Sequence, residues 1–133
     1  MIPKIVPIAG DASFRKFYRI ILNKKSKIIV FATKEKYKNL IIYSIINNFL
    51  RTKKILTPKL YAQNYTKGLI VIEDFGDLSY YKILLKQKEK LPTYKKLVDL
   101  LLKIQNIKPK TKISFLKKNY VIKKYSIKYL KKE

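Results

Sequence analysis

A single amphipathic helix pattern, placed between two groups of strand patterns, constrains the fold of this chain more than any other feature. Between Lys34 and Lys54, residues of one face recur every three or four positions, which is the period of a helix. The residues on that face are Tyr37, Leu40, Ile41, Ile45, Asn48 and Phe49. A helix with one apolar face needs a partner surface, so the flanking strands are predicted to supply it.

Strand-like runs of five to nine residues flank this helix on both sides. Phe14–Leu22 and Lys27–Ala32 precede it, with the polar turn Asn23–Ser26 between them. Lys59–Asn64 and Gly68–Ile72 follow it, again with a short polar turn between them. Short turns between neighbouring strands favour hairpins, and hairpins build antiparallel sheets.

Only helices are predicted after the second hairpin pattern. They cover Tyr80–Lys90, Pro92–Gln105 and Ile113–Glu133, and Asp77 or Ser79 is placed to cap the first of them. The middle helix is apolar around most of its circumference, which predicts burial on nearly all sides. Strands followed by helices are typical of the α+β class. The 133 residues then divide into a strand-rich part, 1–76, and a helical part, 77–133.

The net charge of +24 suggests an anionic partner, but its composition favours a simpler interpretation. Only 3 of the 32 basic residues are arginine, the residue preferred for bidentate recognition of bases and phosphates. Lys, Ile, Tyr and Asn, all encoded by A/T-rich codons, make up 67 of the 133 residues. The lysines are therefore interpreted as a solvated surface rather than as a nucleic-acid site.

Absent residue types exclude several chemistries. The chain has no cysteine and no histidine, so thiolate zinc sites, thiol nucleophiles and Ser-His mechanisms are excluded. No stretch reaches the roughly 18 apolar residues of a membrane span, and no signal peptide is visible. We expect a cytoplasmic chain without a membrane partner.

The segment Pro7–Ser13 (PIAGDAS) is the first motif whose residues suggest a binding role. Gly10 permits close approach of the backbone to a ligand, and the Ser13 hydroxyl and nearby N–H groups can donate to phosphate oxygens. The same residues also fit an ordinary tight turn. No P-loop pattern occurs anywhere in the chain.

The segment Leu69–Asp77 (LIVIEDFGD) is the second motif. An apolar strand that ends in a polar connector offers backbone groups to the edge of an adenine ring, here the carbonyl of Glu73 and the N–H of Phe75. Two other interpretations stay open for this segment. Its three acids can ligate a metal, or it is only the end of a strand followed by a helix cap.

Taken together, GDASFRKFYRI and LIVIEDFGDLSYYKIL resemble the aminoglycoside-phosphotransferase-like kinases, above all the bacterial sugar kinases that phosphorylate N-acetylmuramate and N-acetylglucosamine at the anomeric carbon. The resemblance implies a kinase-like amino-terminal lobe, with a five-stranded antiparallel sheet and one helix, followed by a partial all-helical carboxy lobe. It also implies that ATP is bound, with magnesium as its metal. The phosphate-side segment is then Gly10, Asp11, Ala12, Ser13, Arg15, Tyr18 and Arg19, and the adenine-side connector contains Glu73, Asp74 and Phe75.

The family's catalytic loop and magnesium ligands are not found in the sequence. There is no histidine, and no acid lies between Asp99 and Glu133. The Lys–Glu pair of kinase-type folds is not recognisable either, because Glu35 stands at the very start of the helix pattern. The resemblance therefore implies a nucleotide-binding lobe that is inactive alone. A truncated gene, a pseudogene-like remnant and a split kinase completed by a second chain that supplies the carboxy lobe all fit this sequence.

The alternative function is a small basic nucleic-acid-binding protein. Its best local support is the segment Lys108–Glu133, which holds ten lysines against one acid. Three tyrosines lie in this segment, Tyr120, Tyr125 and Tyr129, and exposed aromatic rings among lysines can stack on bases. The same tyrosines stand at helical spacing, so core packing explains them at least as well.

Overall fold

Five strands form one antiparallel sheet in a computed structural model that describes residues 2–9, 15–32, 37–108 and 110–122. The strand order is β1-β2-β3-β5-β4, and every neighbouring pair is antiparallel. The strands are β1 (Lys4–Ile8), β2 (Lys16–Leu22), β3 (Lys25–Phe31), β4 (Leu60–Asn64) and β5 (Leu69–Glu73). The predicted α+β class and the five-stranded antiparallel sheet are confirmed.

Three helices accompany this sheet in the described part of the chain. They are α1 (Tyr37–Thr52), between β3 and β4, and α2 (Tyr80–Lys86) and α3 (Leu91–Gln105), which both follow β5. The helix α2 is four residues shorter than predicted, because Gln87 takes an extended backbone and ends it. The element order up to α3 is the one that the sequence predicts, with β1 added in front.

The strand β1 was not evident as a separate element in the sequence. Pro7 interrupts its apolar pattern, and proline cannot donate to a strand ladder. The structure places β1 at the edge of the sheet, where it pairs only with β2 and Pro7 lies opposite Tyr18. An edge strand tolerates this proline. The local sequence pattern alone does not show that these residues form a strand or which strand they pair with.

The turn between β2 and β3 sets the register of the first hairpin. Asn23 and Lys24 both have positive φ angles, 50° and 60°, and Leu22 pairs with Lys25 across them. Two consecutive residues of this kind form the turn whose twist matches that of paired strands. Asparagine tolerates the left-handed region better than most residues, which explains its place at the first position.

The core lies between α1 and one face of the sheet, which we call the inner face. Cross-strand partners share a face, and the pairs Val30–Ile70 and Ile28–Ile72 belong to the inner one. These four side chains are buried and form one cluster with Leu40 of α1. On the neighbouring strands β1 and β2, the inner-face residues are only half-buried. The helix α1 therefore covers the inner face mainly over β3 and β5 and leaves the part under β1 and β2 less covered.

Residues 112–121 form a second, separate hairpin, so the predicted helix Ile113–Glu133 is wrong over these residues. The strands are β6 (Lys112–Phe115) and β7 (Lys118–Val121), joined at Leu116 and Lys117, whose φ angles are 49° and 59°. The Phe115 ring contacts Tyr65 edge-on, with 6.4 Å between centroids. Residues 123–133 lie outside the described residues. The carboxy-terminal part is therefore not all-helical.

The helices α2 and α3 expose apolar side chains that have no covering element among the described residues. Seven large apolar residues of α3 are exposed: Leu91, Tyr94, Val98, Leu100, Leu101, Leu102 and Ile104. One tie to the sheet-bearing part is the Lys103 ammonium, which donates to the Lys54 carbonyl at 3.0 Å. The all-round burial predicted for this helix is not provided by the part of the chain described. No described helix is long and apolar enough to cross a membrane.

This exposure predicts that the chain associates when its charge is screened. We expect monomers in about 0.1 M salt and oligomers in about 1 M salt, because the Debye length falls from about 10 Å to about 3 Å and repulsion between +24 chains weakens. Sedimentation velocity at both salt concentrations measures this. Leu101→Lys should reduce association, whereas the matched control Leu56→Lys, at an exposed loop position, should not. A chain that stays monomeric at high protein concentration in 1 M salt contradicts the prediction.

Candidate functional site

The connector between β5 and α2, Glu73–Asp77, is held to the sheet by Arg19. The guanidinium makes four hydrogen bonds to two carboxylates. Nε and Nη2 donate to Asp74 at 2.6 and 3.1 Å, and Nη1 and Nη2 donate to Asp77 at 2.9 and 2.8 Å. Arg19 lies on the inner face of β2, opposite Ile28 of β3. Its side chain therefore crosses from β2 to a segment that is 55 residues away in sequence.

The two carboxylates of this cluster are held in the charged form. The Asp74 side chain is only 4% exposed, and burial raises its pKa. Hydrogen bonds from Arg19, Ser26 and the Gly76 N–H outweigh burial and place the pKa of Asp74 below its ordinary value. The pKa of Asp77 is lowered mainly by its hydrogen bonds with Arg19. Both carboxylates in turn raise the pKa of Arg19.

The cluster also fixes the backbone of the connector. The Asp74 carboxylate accepts from the Gly76 N–H at 2.8 Å, which closes a tight turn around Phe75. Gly76 has a φ of +76°, a region that glycine adopts without strain. Among the described residues no group accepts the Phe75 N–H, and the Phe75 side chain is 51% exposed. The Phe75 N–H is thus unpaired at the position where the sequence predicts contact with an adenine edge, as are the N–H groups of Asp74 and Asp77 among the described residues.

Glu73 has a different environment from the other two acids. Its N–H donates to the Lys59 carbonyl at 2.9 Å, and its carboxylate accepts from the Lys59 N–H at 3.0 Å. In a regular ladder with β4, the Lys59 N–H would donate to the Glu73 carbonyl. Here it donates to the Glu73 carboxylate instead, so the Glu73 carbonyl does not accept this hydrogen bond.

The three acids of the connector do not fit a magnesium site. Both oxygens of Asp74 and both of Asp77 accept hydrogen bonds from Arg19, and one oxygen of Glu73 accepts from Lys59. A magnesium ion needs carboxylate oxygens that are free to coordinate it. No group of three or more acids that could hold a metal occurs in the described ranges. The metal interpretation of Leu69–Asp77 is therefore not supported by these contacts.

The helix-cap interpretation of the same segment is partly correct. Ser79 is the N-cap of α2, and its hydroxyl accepts from the Lys82 N–H at 3.3 Å. Asp77, the other candidate for this cap, is bound to Arg19 instead. The helix cap and the connector are thus formed by different residues. The helix-cap interpretation therefore does not exclude the interpretation of the connector as an adenine contact.

Of the phosphate-side segment, the structure describes Arg15, Tyr18 and Arg19. Gly10, Asp11, Ala12 and Ser13 lie outside the described residues, so their prediction stays a prediction. Arg15 precedes β2, and its guanidinium carbon lies 5.4 Å from the centroid of the Tyr43 ring of α1. This cation–π contact joins the start of β2 to the helix and keeps the Arg15 side chain close to the inner face.

The topology places the start of β2 and the connector at opposite ends of the strands. The strands β2 and β5 run in the same direction, because each is antiparallel to β3, which lies between them. The link from β1 to β2 precedes β2, whereas the connector follows β5. The described strand ends that flank the β1–β2 link, Ile8 and Lys16, therefore lie at the end of the sheet opposite the connector.

The centre of α1 carries no acid, as the sequence indicates. Its buried polar residues serve the fold instead. The Ser44 hydroxyl donates to the Leu40 carbonyl at 3.1 Å, and the Asn47 amide donates to the Pro58 carbonyl at 2.6 Å. The second bond fixes the loop after α1 against the helix. No counterpart of the kinase Lys–Glu pair is formed at these positions, and Glu35 lies outside the described residues.

Comparison with known proteins identifies no relative. No protein-family model matches the chain, and neither a curated protein nor a solved structure matches it.

Arg19 is the residue whose role sequence reasoning missed. The resemblance assigns it to the phosphate-side segment, but its hydrogen bonds are directed to the connector. One signal in the sequence pointed to this pairing. Arg19 is one of only three arginines, and Asp74 and Asp77 are two of only eight acids. In a chain with so few acids, two that are close together are natural partners for an arginine.

Proposed function

We propose that this chain is the nucleotide-binding lobe of an ATP-dependent sugar phosphotransferase of the aminoglycoside-phosphotransferase-like type. The observation that carries the proposal is the connector, which leaves β5 and offers an unpaired Phe75 N–H. In the proposed complex this N–H donates to the adenine ring, and the Glu73 carbonyl accepts from the exocyclic amine. The less covered part of the inner face, under β1 and β2, receives the rest of the nucleotide.

The arrangement of elements supports the same proposal. A kinase-like lobe requires an antiparallel sheet of five strands, one helix between the third and fourth strands, and a connector after the fifth. The sheet, α1 and Glu73–Asp77 satisfy each of these requirements. Fold alone does not establish an activity, so the proposal depends on the donor and acceptor geometry of the connector.

Catalysis in this proposal requires groups from outside the 133 residues. Phosphoryl transfer depends on positioning and on metal ions that neutralise the phosphates. The connector acids are engaged with Arg19 and Lys59. We propose that a helical carboxy lobe on a second polypeptide supplies the catalytic carboxylate and the metal ligands and covers the apolar surface of α3.

Neutral nucleosides provide the sharpest test. The +24 charge attracts any triphosphate, so adenosine and inosine are compared by calorimetry in about 0.15 M salt. Inosine reverses the hydrogen-bonding pattern of the ring edge, replacing the amine by a carbonyl and placing a proton on the ring nitrogen. We expect adenosine to bind about tenfold tighter or more, because a mispaired buried donor costs about 1–3 kcal/mol.

A pair of variants at Phe75 locates the binding site. Phe75→Pro removes the backbone N–H and is expected to abolish the preference for adenosine over inosine. Phe75→Ala keeps the N–H and is expected to keep the preference, with affinity changed only by the lost ring contact. Equal binding of both nucleosides by the unmodified chain, or no binding of either, contradicts the proposed function.

The second candidate function, nucleic-acid binding, is favoured by one local feature. The ammonium groups of Lys27 and Lys59 lie 4.6 and 5.6 Å from the centroid of the Tyr61 ring, which is 45% exposed. A ring among lysines is a platform on which a base can stack. Tyr120 of the carboxy-terminal segment is only half-buried in β7, and Tyr125 and Tyr129 lie outside the described residues.

Salt titration separates this second function from non-specific attraction. A dedicated single-strand site that includes Tyr61 should retain measurable affinity for a labelled oligonucleotide in about 0.3 M salt and lose it on Tyr61→Ala. The matched control Tyr81→Ala, on exposed α2, should leave it unchanged. Binding that disappears at this salt concentration, or that Tyr61→Ala leaves intact, contradicts nucleic-acid recognition through Tyr61.

A further inference from the structure

The guanidinium of Arg19 is almost fully used within the protein. An arginine side chain has five N–H donors, and four hydrogen bonds from Arg19 go to Asp74 and Asp77. The cluster carries one positive and two negative charges, so its formal charge is −1. A group in this state does not attract phosphate. Arg19 is therefore unsuited to the phosphate-binding role that its sequence segment implies.

The hydrogen bonds of Arg19 restrain the backbone on both sides of Phe75. Asp74, which precedes Phe75, is bound through both carboxylate oxygens. Gly76, which follows Phe75, donates its N–H to one of the same oxygens. The direction of the Phe75 N–H is thus set by two fixed neighbours. Restraint of a binding group before the ligand arrives reduces the entropy lost on binding.

We propose that Arg19 is a positioning residue that sets the adenine selectivity of the connector without serving as a phosphate ligand. This inference rests on the proposed function and adds a residue from β2 to a site otherwise formed by the backbone of the connector. Arg19 acts through Asp74 and Asp77, to which it donates four hydrogen bonds. Its contribution should appear in recognition of the base and not in attraction of the phosphates.

Arg19→Lys is the variant that tests this role. Lysine keeps the charge but has a single ammonium group, which does not bridge two carboxylates through paired planar bonds. Arg51→Lys is the matched control. Arg51 donates to the Thr57 carbonyl after the end of α1, and not to Asp74 or Asp77. Both variants keep the net charge of the chain.

Three ligands report separately on the base-binding end and the phosphate-binding end of the proposed site. Adenosine reports on the base, inosine reports on base selectivity, and inorganic tripolyphosphate reports on the phosphates. For Arg19→Lys we expect about a tenfold loss of adenosine affinity, with inosine and tripolyphosphate changed by less than about twofold. For Arg51→Lys we expect all three affinities to remain unchanged.

Amide hydrogen exchange gives a readout that does not depend on any ligand. The Gly76 N–H should be protected in the unmodified chain, because it donates to Asp74. In Arg19→Lys this amide should exchange faster, while amides of the core strands keep their protection. Loss of protection throughout the sheet would instead mean that Arg19 serves only the general stability of the fold.

The outcomes distinguish the inference from the function on which it rests. If the unmodified chain prefers adenosine and Arg19→Lys keeps that preference and affinity, the positioning role is overturned and the proposed function stands. If Arg19→Lys weakens adenosine and tripolyphosphate equally, the positioning role is also overturned. If the unmodified chain does not prefer adenosine over inosine, both proposals fail together.

Discussion

Replacing Ile70 with alanine is expected to lower the free energy of unfolding by about 2–5 kcal/mol. The side chain is fully buried, with 0% exposure, and is the second residue of β5, opposite Val30 of β3. Truncation leaves a cavity that the strands on either side cannot fill, because the ladder fixes their spacing. Domains of this size have a total stability of about 5–15 kcal/mol, so the loss is a large share of it.

Urea unfolding measures this change. It is followed by far-UV circular dichroism, because the chain has no tryptophan to serve as a fluorescence probe. The matched control is Ile5→Ala, the same substitution at a mostly exposed position of β1. Its effect should stay within about 0.5 kcal/mol. Similar losses for both variants would show that Ile70 does not occupy the core of the sheet.

Replacing Arg19 with methionine is expected to destabilise the fold strongly at neutral pH and less in acid. The variant leaves Asp74 nearly buried, without its arginine and beside Asp77. Breaking a partly buried ion pair is costly, because the remaining charge stays desolvated. The difference in melting temperature between the unmodified chain and Arg19→Met should be largest near pH 7.

Acidification should lower the stability of the unmodified chain and raise that of Arg19→Met. In the unmodified chain the pKa values of Asp74 and Asp77 are lowered, so their stabilisation is present above about pH 4 and is lost as the pH falls through the lowered values. In Arg19→Met, burial and repulsion from Asp77 raise the pKa of Asp74, so acidification from pH 7 to about pH 4 should stabilise the variant. Melting curves from pH 7 to about pH 3 measure both trends.

The matched control for this experiment is the triple variant Arg19→Met, Asp74→Asn, Asp77→Asn. It removes the arginine and both carboxylates together, so no unpaired charge remains. We expect it to be more stable than Arg19→Met at pH 7 and to lack the acid-dependent gain. A pH profile of Arg19→Met parallel to that of the unmodified chain would contradict the ion-pair network. The chain has only eight side-chain acids, which keeps other contributions to the profile few.

The local sequence pattern was sufficient to predict the elements in which the spacing of apolar residues is unambiguous. The helix α1 and the strands on both sides of it were predicted because spacings of three and four differ clearly from alternation. It was insufficient for residues 112–121, where Ile113, Phe115 and Tyr120 fit both a helix and a hairpin. Contact of Phe115 with Tyr65, 50 positions earlier, accompanies the hairpin, and no local rule contains that information.

The candidate site shows the same division. Leu69–Asp77 was identified from sequence, because an apolar run that ends abruptly in acids and glycine marks a strand followed by a connector. The partner of those acids was not identified, because Arg19 is on β2 and reaches them across β3. Only strand order brings these residues together, and strand order is a property of the whole sheet.

The amino-acid sequence by itself determined the strands β2 to β5, the helices α1 to α3, the excess of positive charge and the absence of histidine and cysteine chemistry. These follow from side-chain spacing and composition, which are properties of neighbouring residues. The tertiary structure decided which charges are paired, which backbone donors of the connector stay free, and which part of the inner face α1 covers. These depend on contacts between residues far apart in the chain, and only the folded sheet brings such residues within hydrogen-bonding distance.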